Sequence, residues 1–221
     1  GPAQARIFRM KEAVPLAALP AKDTNKVLEA VSEAYPQYID GKDILHTGLN
    51  NIGAIFHPAI SMLNAGWIEA RKGEFQFYLE GVTPTVARIM EVLDRERVTV
   101  ASAVGVRATT AKEWLQMAYL AKGDTLLDAI HNQQGYRGIN APPTLLHRYI
   151  TEDVPMSLVP IASLGKRYGV SVRGMDSIIR LSCIAHSTDY WRRGRTMEGL
   201  GIEPLSVSEL RAYVREGIIE Y

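Results

Sequence analysis

The sequence holds a single cysteine in 221 residues, Cys183, so an internal disulfide framework and any Cys-rich zinc module are excluded. Charge excess is also missing. Against 25 Lys+Arg stand 24 Asp+Glu, a formal net charge of +1, and a general nucleic-acid binder needs a basic surplus or face. No apolar run approaches the roughly twenty residues that span a bilayer, so neither nucleic acid nor membrane is an expected partner. The chain lacks Gly-x-Gly-x-x-Gly, a Walker-type loop, His-Glu-x-x-His and Gly-x-Ser-x-Gly. Its densest glycine stretch, Gly194…Gly199-x-Gly201, follows no predicted strand. No metal site and no self-sufficient cofactor motif are therefore expected. Internal repeats, low-complexity tracts and a heptad seam are absent too. No basic-then-apolar leader opens the chain, and Gly1-Pro2 reads as a fusion scar. With one thiol, a reducing, cytoplasmic location is the expectation.

What is present is an ordinary globular balance, 47% hydrophobic and 22% charged, enough to bury a sizeable core. Arg6–Met10 and Val14–Leu19 read as two short extended runs that need a larger sheet, since two strands alone are marginal. After Pro20 the periodicity turns helical. Asp23 or Thr24 caps a helix to about Ala34. A second is expected from about Asp43 to Asn64, kinked or broken at His57-Pro58, because Pro58 lacks an amide donor and crowds the Ala54 carbonyl. Thr83-Pro84 opens the clearest helix, ending before Gly105. Thr110-x-x-Glu113 and Ser206-x-x-Glu209 are capping boxes. Further helices are expected at Thr125–Asn132, from Pro142-Pro143 through Tyr149, at Val154–Tyr168 and at Met175–Ser187. The predicted fold is mainly α, eight or nine helices after a strand remnant.

Three clusters could carry chemistry. His57, beside a proline and among Asn50, Asn51 and Asn64, either points into a cavity as a proton-handling group or is a hydrogen-bonded core histidine. Arg148-Tyr149-Ile150-Thr151-Glu152-Asp153 offers a carboxylate before a helix start and an arginine whose planar fork suits a carboxylate; the alternative is an N-cap and a surface ion pair. Trp191-Arg192-Arg193-Gly194-Arg195 is either an anion site or a solvated turn. His46, His131, His147 and His186 are isolated, and Cys183 reads as a buried small hydrophobe.

Taken together, Ile55-Phe56-His57-Pro58-Ala59, Leu63-Asn64-Ala65-Gly66, Phe77-Tyr78-Leu79-Glu80-Gly81-Val82-Thr83-Pro84, Asp94-Arg95-Glu96-Arg97, Arg148–Pro155 and Gly194-Arg195-Thr196 resemble the C-terminal domain of the octopine/nopaline (opine) dehydrogenase family, over nearly the whole chain. The resemblance implies a multi-helical dehydrogenase C-terminal domain of the 6-phosphogluconate dehydrogenase C-terminal-like type. Residues 1–20 would be a strand remnant of a missing Rossmann domain, and residues 21–221 the helical substrate-binding domain. It further implies an NAD(P)-dependent oxidoreductase that condenses an amino acid with an α-keto acid. NAD or NADP would be held mainly by the absent domain, and this chain would be inactive by itself. His57 matches the family's catalytic histidine, Asp153 its aspartate partner, and Arg148 a substrate-carboxylate arginine. A homodimer through helical faces is a further expectation. Two other readings stay open: a related hydroxy- or keto-acid reductase, and a non-catalytic dimerisation module.

Overall fold

The computed structural model describes Ala3 and residues 11 to 218. The chain opens with β1 (Val14–Leu16), a 3₁₀ turn at Ala21–Asp23, α1 (Thr24–Ser32) and β2 (Tyr38–Asp40). The two strands pair in parallel, with Val14 opposite Tyr38, and α1 makes the crossover between them. So the Val14 run finds its partner within this chain, in a strand the sequence reading missed. Tyr-Ile-Asp is too short to show alternation against the Pro36 and Gly41 that flank it. The Arg6–Met10 run lies outside the described residues.

Helices follow: α2 (Ile44–Leu49), α3 (Gly53–Leu63), α4 (Ala65–Arg71), α5 (Pro84–Ala103), α6 (Ala111–Tyr119), α7 (Leu126–Asn132) and α8 (Arg148–Thr151). A π-helical turn, Val154–Leu158, leads straight into α9 (Val159–Arg167), and α10 (Arg173–Ala185), α11 (Tyr190–Arg193) and α12 (Val207–Glu216) complete the domain. The mainly helical fold is the one expected. Two boundaries differ. The break in the second predicted helix falls at Asn50–Ile52, not at Pro58, which sits inside α3. Proline there forfeits only the bond to the Ala54 carbonyl. Asn50, by contrast, turns its side chain onto the backbone, donating to the His46 carbonyl and accepting from Thr109 N–H and Oγ1–H, which ends α2. Pro142-Pro143 starts no helix; the chain stays irregular until His147, whose ring nitrogen caps α8.

Neither Asp23 nor Thr24 caps α1 through its side chain, since Asp23 makes no cap bond and Thr24 Oγ1 accepts from Ala18 N–H instead; the other cap signals form as their chemistry requires. Thr83 Oγ1 accepts from Val86 N–H at the start of α5. Thr110 with Glu113, Thr125 with Asp128 and Ser206 with Glu209 form reciprocal capping boxes. Hydrogen bonds from the Thr or Ser partner hold all three carboxyls below their usual range.

Two helices organise the core. In α3, Ala54, Ile55, Phe56, Pro58, Ala59, Ile60 and Ser61 are all buried, so this helix is covered nearly all round. It packs against α5, α8, α10 and the π-turn. In α5, Val86, Met90, Leu93, Arg97, Val100 and Ala101 line the buried stripe. Its Asp94–Arg97 segment is a knot of helix ends. Arg97 is fully buried, grips Asp94 through two nitrogens (3.0 and 2.7 Å) and donates to the Leu49 carbonyl at the end of α2 and to the Thr109 carbonyl before α6. The other Asp94 oxygen accepts from Ala111 N–H at 2.7 Å. On the opposite side, Glu96 accepts from Gly174 and Met175 N–H (2.8 and 2.9 Å) at the start of α10. The Asp94–Arg97 motif therefore serves the scaffold.

Candidate active site

Three elements converge on His57. The ring leaves α3 from its middle, where the helix is anchored on all sides. The irregular segment 75–81 brings Phe77 and Tyr78, and is laced to residues 139–141 by Phe77 N–H to the Ile139 carbonyl and Ala141 N–H to the Phe75 carbonyl. The α8–π-turn junction brings Tyr149 and Asp153.

Asp153 Oδ2 lies 2.8 Å from His57 Nδ1, across 96 positions of sequence. Tyr78 Oη lies 3.1 Å from Nε2. Tyr149 stacks on the imidazole with centroids 4.1 Å apart and planes 16° from parallel, and Phe77 packs against Tyr149 at 4.9 Å. Behind Tyr78, Tyr136 stacks at 3.9 Å. Aromatic pairs of this kind contribute about 0.5–1.5 kcal/mol each beyond burial, so the imidazole is held in one orientation. The side chains of His57 and Asp153 are 25% and 11% exposed.

The geometry fixes the donors. A carboxylate accepts only, so Nδ1–H donates to Asp153, and a neutral ring then carries its lone pair on Nε2. Burial pushes the Tyr78 phenol far above its usual range, so it remains a phenol, able to donate its O–H to a neutral Nε2. In its neutral form the imidazole has its tautomer set by an acid and its other nitrogen met by a hydroxyl. When it gains a proton, the adjacent carboxylate stabilises the charge. Nearby His147 is held below its usual range by loss of water, and the Arg148 charge pushes the same way.

The predicted residues are placed as follows. His57 and Asp153 meet. Asp153 does not make the N-cap expected of it; no backbone N–H bonds its side chain, because the carboxylate faces the imidazole instead. Arg148 is 66% exposed and donates to Glu152 Oε1 at 2.9 Å. Two surface concavities, one bounded by Ser187, Thr188 and Arg192, the other by Glu91, Lys112 and Asp124, are not lined by His57. Tyr78, Tyr149 and Tyr136 were not singled out from sequence. The available signal was that Tyr78 and Tyr149 lie inside two of the resembling motifs.

The Trp191–Arg195 segment is a buttress. A Cβ on Gly194 would sit 2.6 Å from Val159 Cγ1 and 2.9 Å from the Pro155 carbonyl, and Arg195 N–H donates to that carbonyl at 3.0 Å. Gly194→Ala should therefore destabilise by about 1–3 kcal/mol through overpacking, read as a lower denaturant midpoint with unchanged slope. Of the remaining histidines, His46 meets Asp43 at 2.8 Å, His131 the Val82 carbonyl at 3.0 Å and His186 the Tyr190 hydroxyl at 2.6 Å. Cys183 is half-buried. Among the described residues no three His, Cys, Asp or Glu side chains gather as metal ligands, and no helix is long and apolar enough to cross a membrane.

Comparison with known proteins agrees with this architecture. The family model "NAD/NADP octopine/nopaline dehydrogenase, alpha-helical domain" matches residues 40–186. An opine dehydrogenase from Arthrobacter sp. (strain 1C) is 35% identical over 96% of this chain and 59% of its own length. A vitopine synthase from Allorhizobium ampelinum is 26% identical over 73% of the chain and 45% of its own. Among solved structures, octopine dehydrogenase with NADH and L-arginine superposes with a TM-score of 0.64 at 19% identity, covering 84% of this chain and 55% of that one. A second, with NADH and agmatine, gives 0.64 over 86% and 55%. These structures show the shared fold, and the chain spans about half the length of the proteins it matches, between 45% and 59%. The chain belongs to the octopine/nopaline dehydrogenase family and carries its helical domain.

Proposed function

We propose that this chain is the substrate-binding and proton-handling part of an opine-type dehydrogenase, which joins the amine of an amino acid to an α-keto acid and reduces the imine with NADH or NADPH. The observation that carries the reading is the 2.8 Å approach of His57 Nδ1 to Asp153, within an aromatic enclosure that holds the ring. The described residues provide no glycine-rich turn between strand and helix to cradle a dinucleotide: β1 leads through Leu19-Pro20 into a 3₁₀ turn. Cofactor binding is therefore assigned to the remainder of the full-length protein, and this chain alone is inactive in the reading proposed.

Imine formation needs a proton delivered to the carbinolamine oxygen as water leaves, and a base to receive one from the attacking amine. An imidazole switches between these roles near neutral pH, and the Asp153 carboxylate offsets the charge His57 gains. Arg148 would orient a substrate carboxylate. Its present partner is exposed, and an exposed ion pair is worth about 0–1 kcal/mol, so exchanging Glu152 for a substrate carboxylate costs little.

The test uses the full-length protein. NAD(P)H consumption should require both the amine and the α-keto acid, and His57→Ala should lower kcat by about 10²–10⁴-fold. Equal turnover with the keto acid alone would identify a hydroxy-acid reductase instead. Undiminished turnover in His57→Ala would remove the couple from catalysis and leave a non-catalytic module.

A further inference from the structure

We infer that Gly53 and Asn51 form the seat of the attacking amine, a notch beside the Cε1 corner of His57 in which Asn51 Oδ1 accepts an amine N–H. The inference rests on the opine-type reading and adds to it the place where that amine is held. Around the imidazole, Nδ1 faces Asp153, Nε2 faces Tyr78 and one ring face lies against Tyr149. The Cε1 corner, between the two nitrogens, is turned toward Gly53, about one turn earlier on α3. A Cβ on Gly53 would sit 3.5 Å from both Cε1 and Nδ1 of His57 and 3.2 Å from Asn51 Oδ1. The glycine thus leaves room for about one methyl group between the imidazole and a carboxamide oxygen.

Nothing in the backbone asks for glycine here. Gly53 opens α3 without a positive φ, and the three atoms nearest an added Cβ all belong to side chains. Alanine is the better helix former, so the missing methyl is read as space kept beside the ring. Asn51 meets that space under restraint. Its Nδ2–H donates to Ser157 Oγ at 3.0 Å, across 106 positions, and Ser157 lies on the π-turn four residues beyond Asp153. The start of α3 and the π-turn are therefore bridged twice, by His57 with Asp153 and by Asn51 with Ser157. The second bridge occupies the Asn51 amide nitrogen and leaves its oxygen for the notch. A carboxamide oxygen accepts without carrying charge. A carboxylate in its place would favour the ammonium form of a bound amine, and only the free amine has the lone pair that attacks a keto carbon. A neutral acceptor beside a proton-handling imidazole suits a nucleophile that must be held and still be free to react.

The test uses the full-length protein with NAD(P)H, pyruvate and a panel of L-amino acids. Asn51→Ala should raise KM for the amino acid by about 10–100-fold, the loss of one hydrogen bond to a charged or polarised group, with KM for pyruvate within about twofold. Gly53→Ala fills the notch and should raise the same KM while the melting temperature stays at or above that of the wild type. Ser157→Ala frees the Asn51 side chain but keeps its oxygen, and should raise the amino-acid KM by about 2–10-fold, the worth of a neutral hydrogen bond. An unchanged amino-acid KM in Asn51→Ala and Gly53→Ala, in an enzyme that still requires the amine, overturns the notch and leaves the proposed function standing. Equal rises in KM for both substrates in Asn51→Ala, with a lowered melting temperature, would make the Asn51–Ser157 bond a structural tie and overturn it too. NAD(P)H consumption without any amine would instead remove the opine-type reading. Titration calorimetry of the same amino acids into the NAD(P)H-loaded protein then judges the notch without turnover: binding as tight in Asn51→Ala as in the wild type, or no binding to either, overturns it.

Discussion

Asp153→Asn in the full-length protein should lower kcat by about 10²–10⁴-fold while leaving the fold intact. An amide has nearly the shape of the carboxylate, so the packing at the α8–π-turn junction survives and circular dichroism should match the wild type. What changes is the instruction given to the imidazole. A carboxylate can only accept, which forces the proton onto Nδ1. An amide can present its NH₂ to Nδ1 instead, moving the ring proton to Nε2, where it would point at Tyr78 oxygen. It also supplies no negative charge to offset an imidazolium. Asp153→Glu keeps the charge but lengthens the arm by one methylene in a contact set at 2.8 Å, and recovers only part of the rate. A kcat for Asp153→Asn within twofold of the wild type would mean that the contact is structural.

The second large effect is on stability. Arg97→Met should cost about 3–5 kcal/mol, the penalty for stranding one member of a buried ion pair. That is a large share of the roughly 5–15 kcal/mol by which domains are stable. Methionine matches the stem but leaves Asp94 facing only the Ala111 amide, and strips a donor from the Leu49 and Thr109 carbonyls. For a domain of this size the melting temperature should fall by about 10 °C. Arg97→Lys should restore little, because one ammonium on a flexible stem cannot reach three acceptors held in a planar fork's geometry. Equilibrium unfolding in denaturant measures this directly; a loss under 1 kcal/mol would show that the pair is solvated in solution.

Helix starts were the most legible part of the fold, because a cap is a local contract. Thr83, Thr110 and Ser206 each satisfy an amide within three residues, and nothing distant can change that. The interruption of the second helix was misplaced for the complementary reason. Pro58 announces its cost in sequence, but that cost is a single ladder bond inside a helix clamped by four neighbours. Asn50 announces nothing, and its role depends on Thr109, 59 positions away. The His57–Asp153 pairing came from the family resemblance; spacing alone gave two residues with bland alternatives. Tyr78 and Tyr149 were illegible as site residues because an aromatic in a helical domain usually fills core, and only the Tyr78 hydroxyl at Nε2 and the Tyr149 ring stacked on the imidazole distinguish them. The Asp94–Arg97 motif posed the reverse problem. Four charged residues in a row carry no local sign of burial, yet two of them, Asp94 and Arg97, are buried.

The π-turn ahead of α9 decides the direction in which the acid points. Widening one turn is equivalent to inserting a single residue into a continuous helix, and each residue of an α-helix rotates the chain by about 100°. Everything upstream of Val154 is thus swung about a quarter-turn relative to the core-facing stripe of α9. Without that extra residue, the same amino acids would aim the carboxylate along another bearing while the hydrophobic packing of α9 stayed in register. A one-residue change of length thereby sets the compass heading of a reactive group independently of the scaffold that carries it.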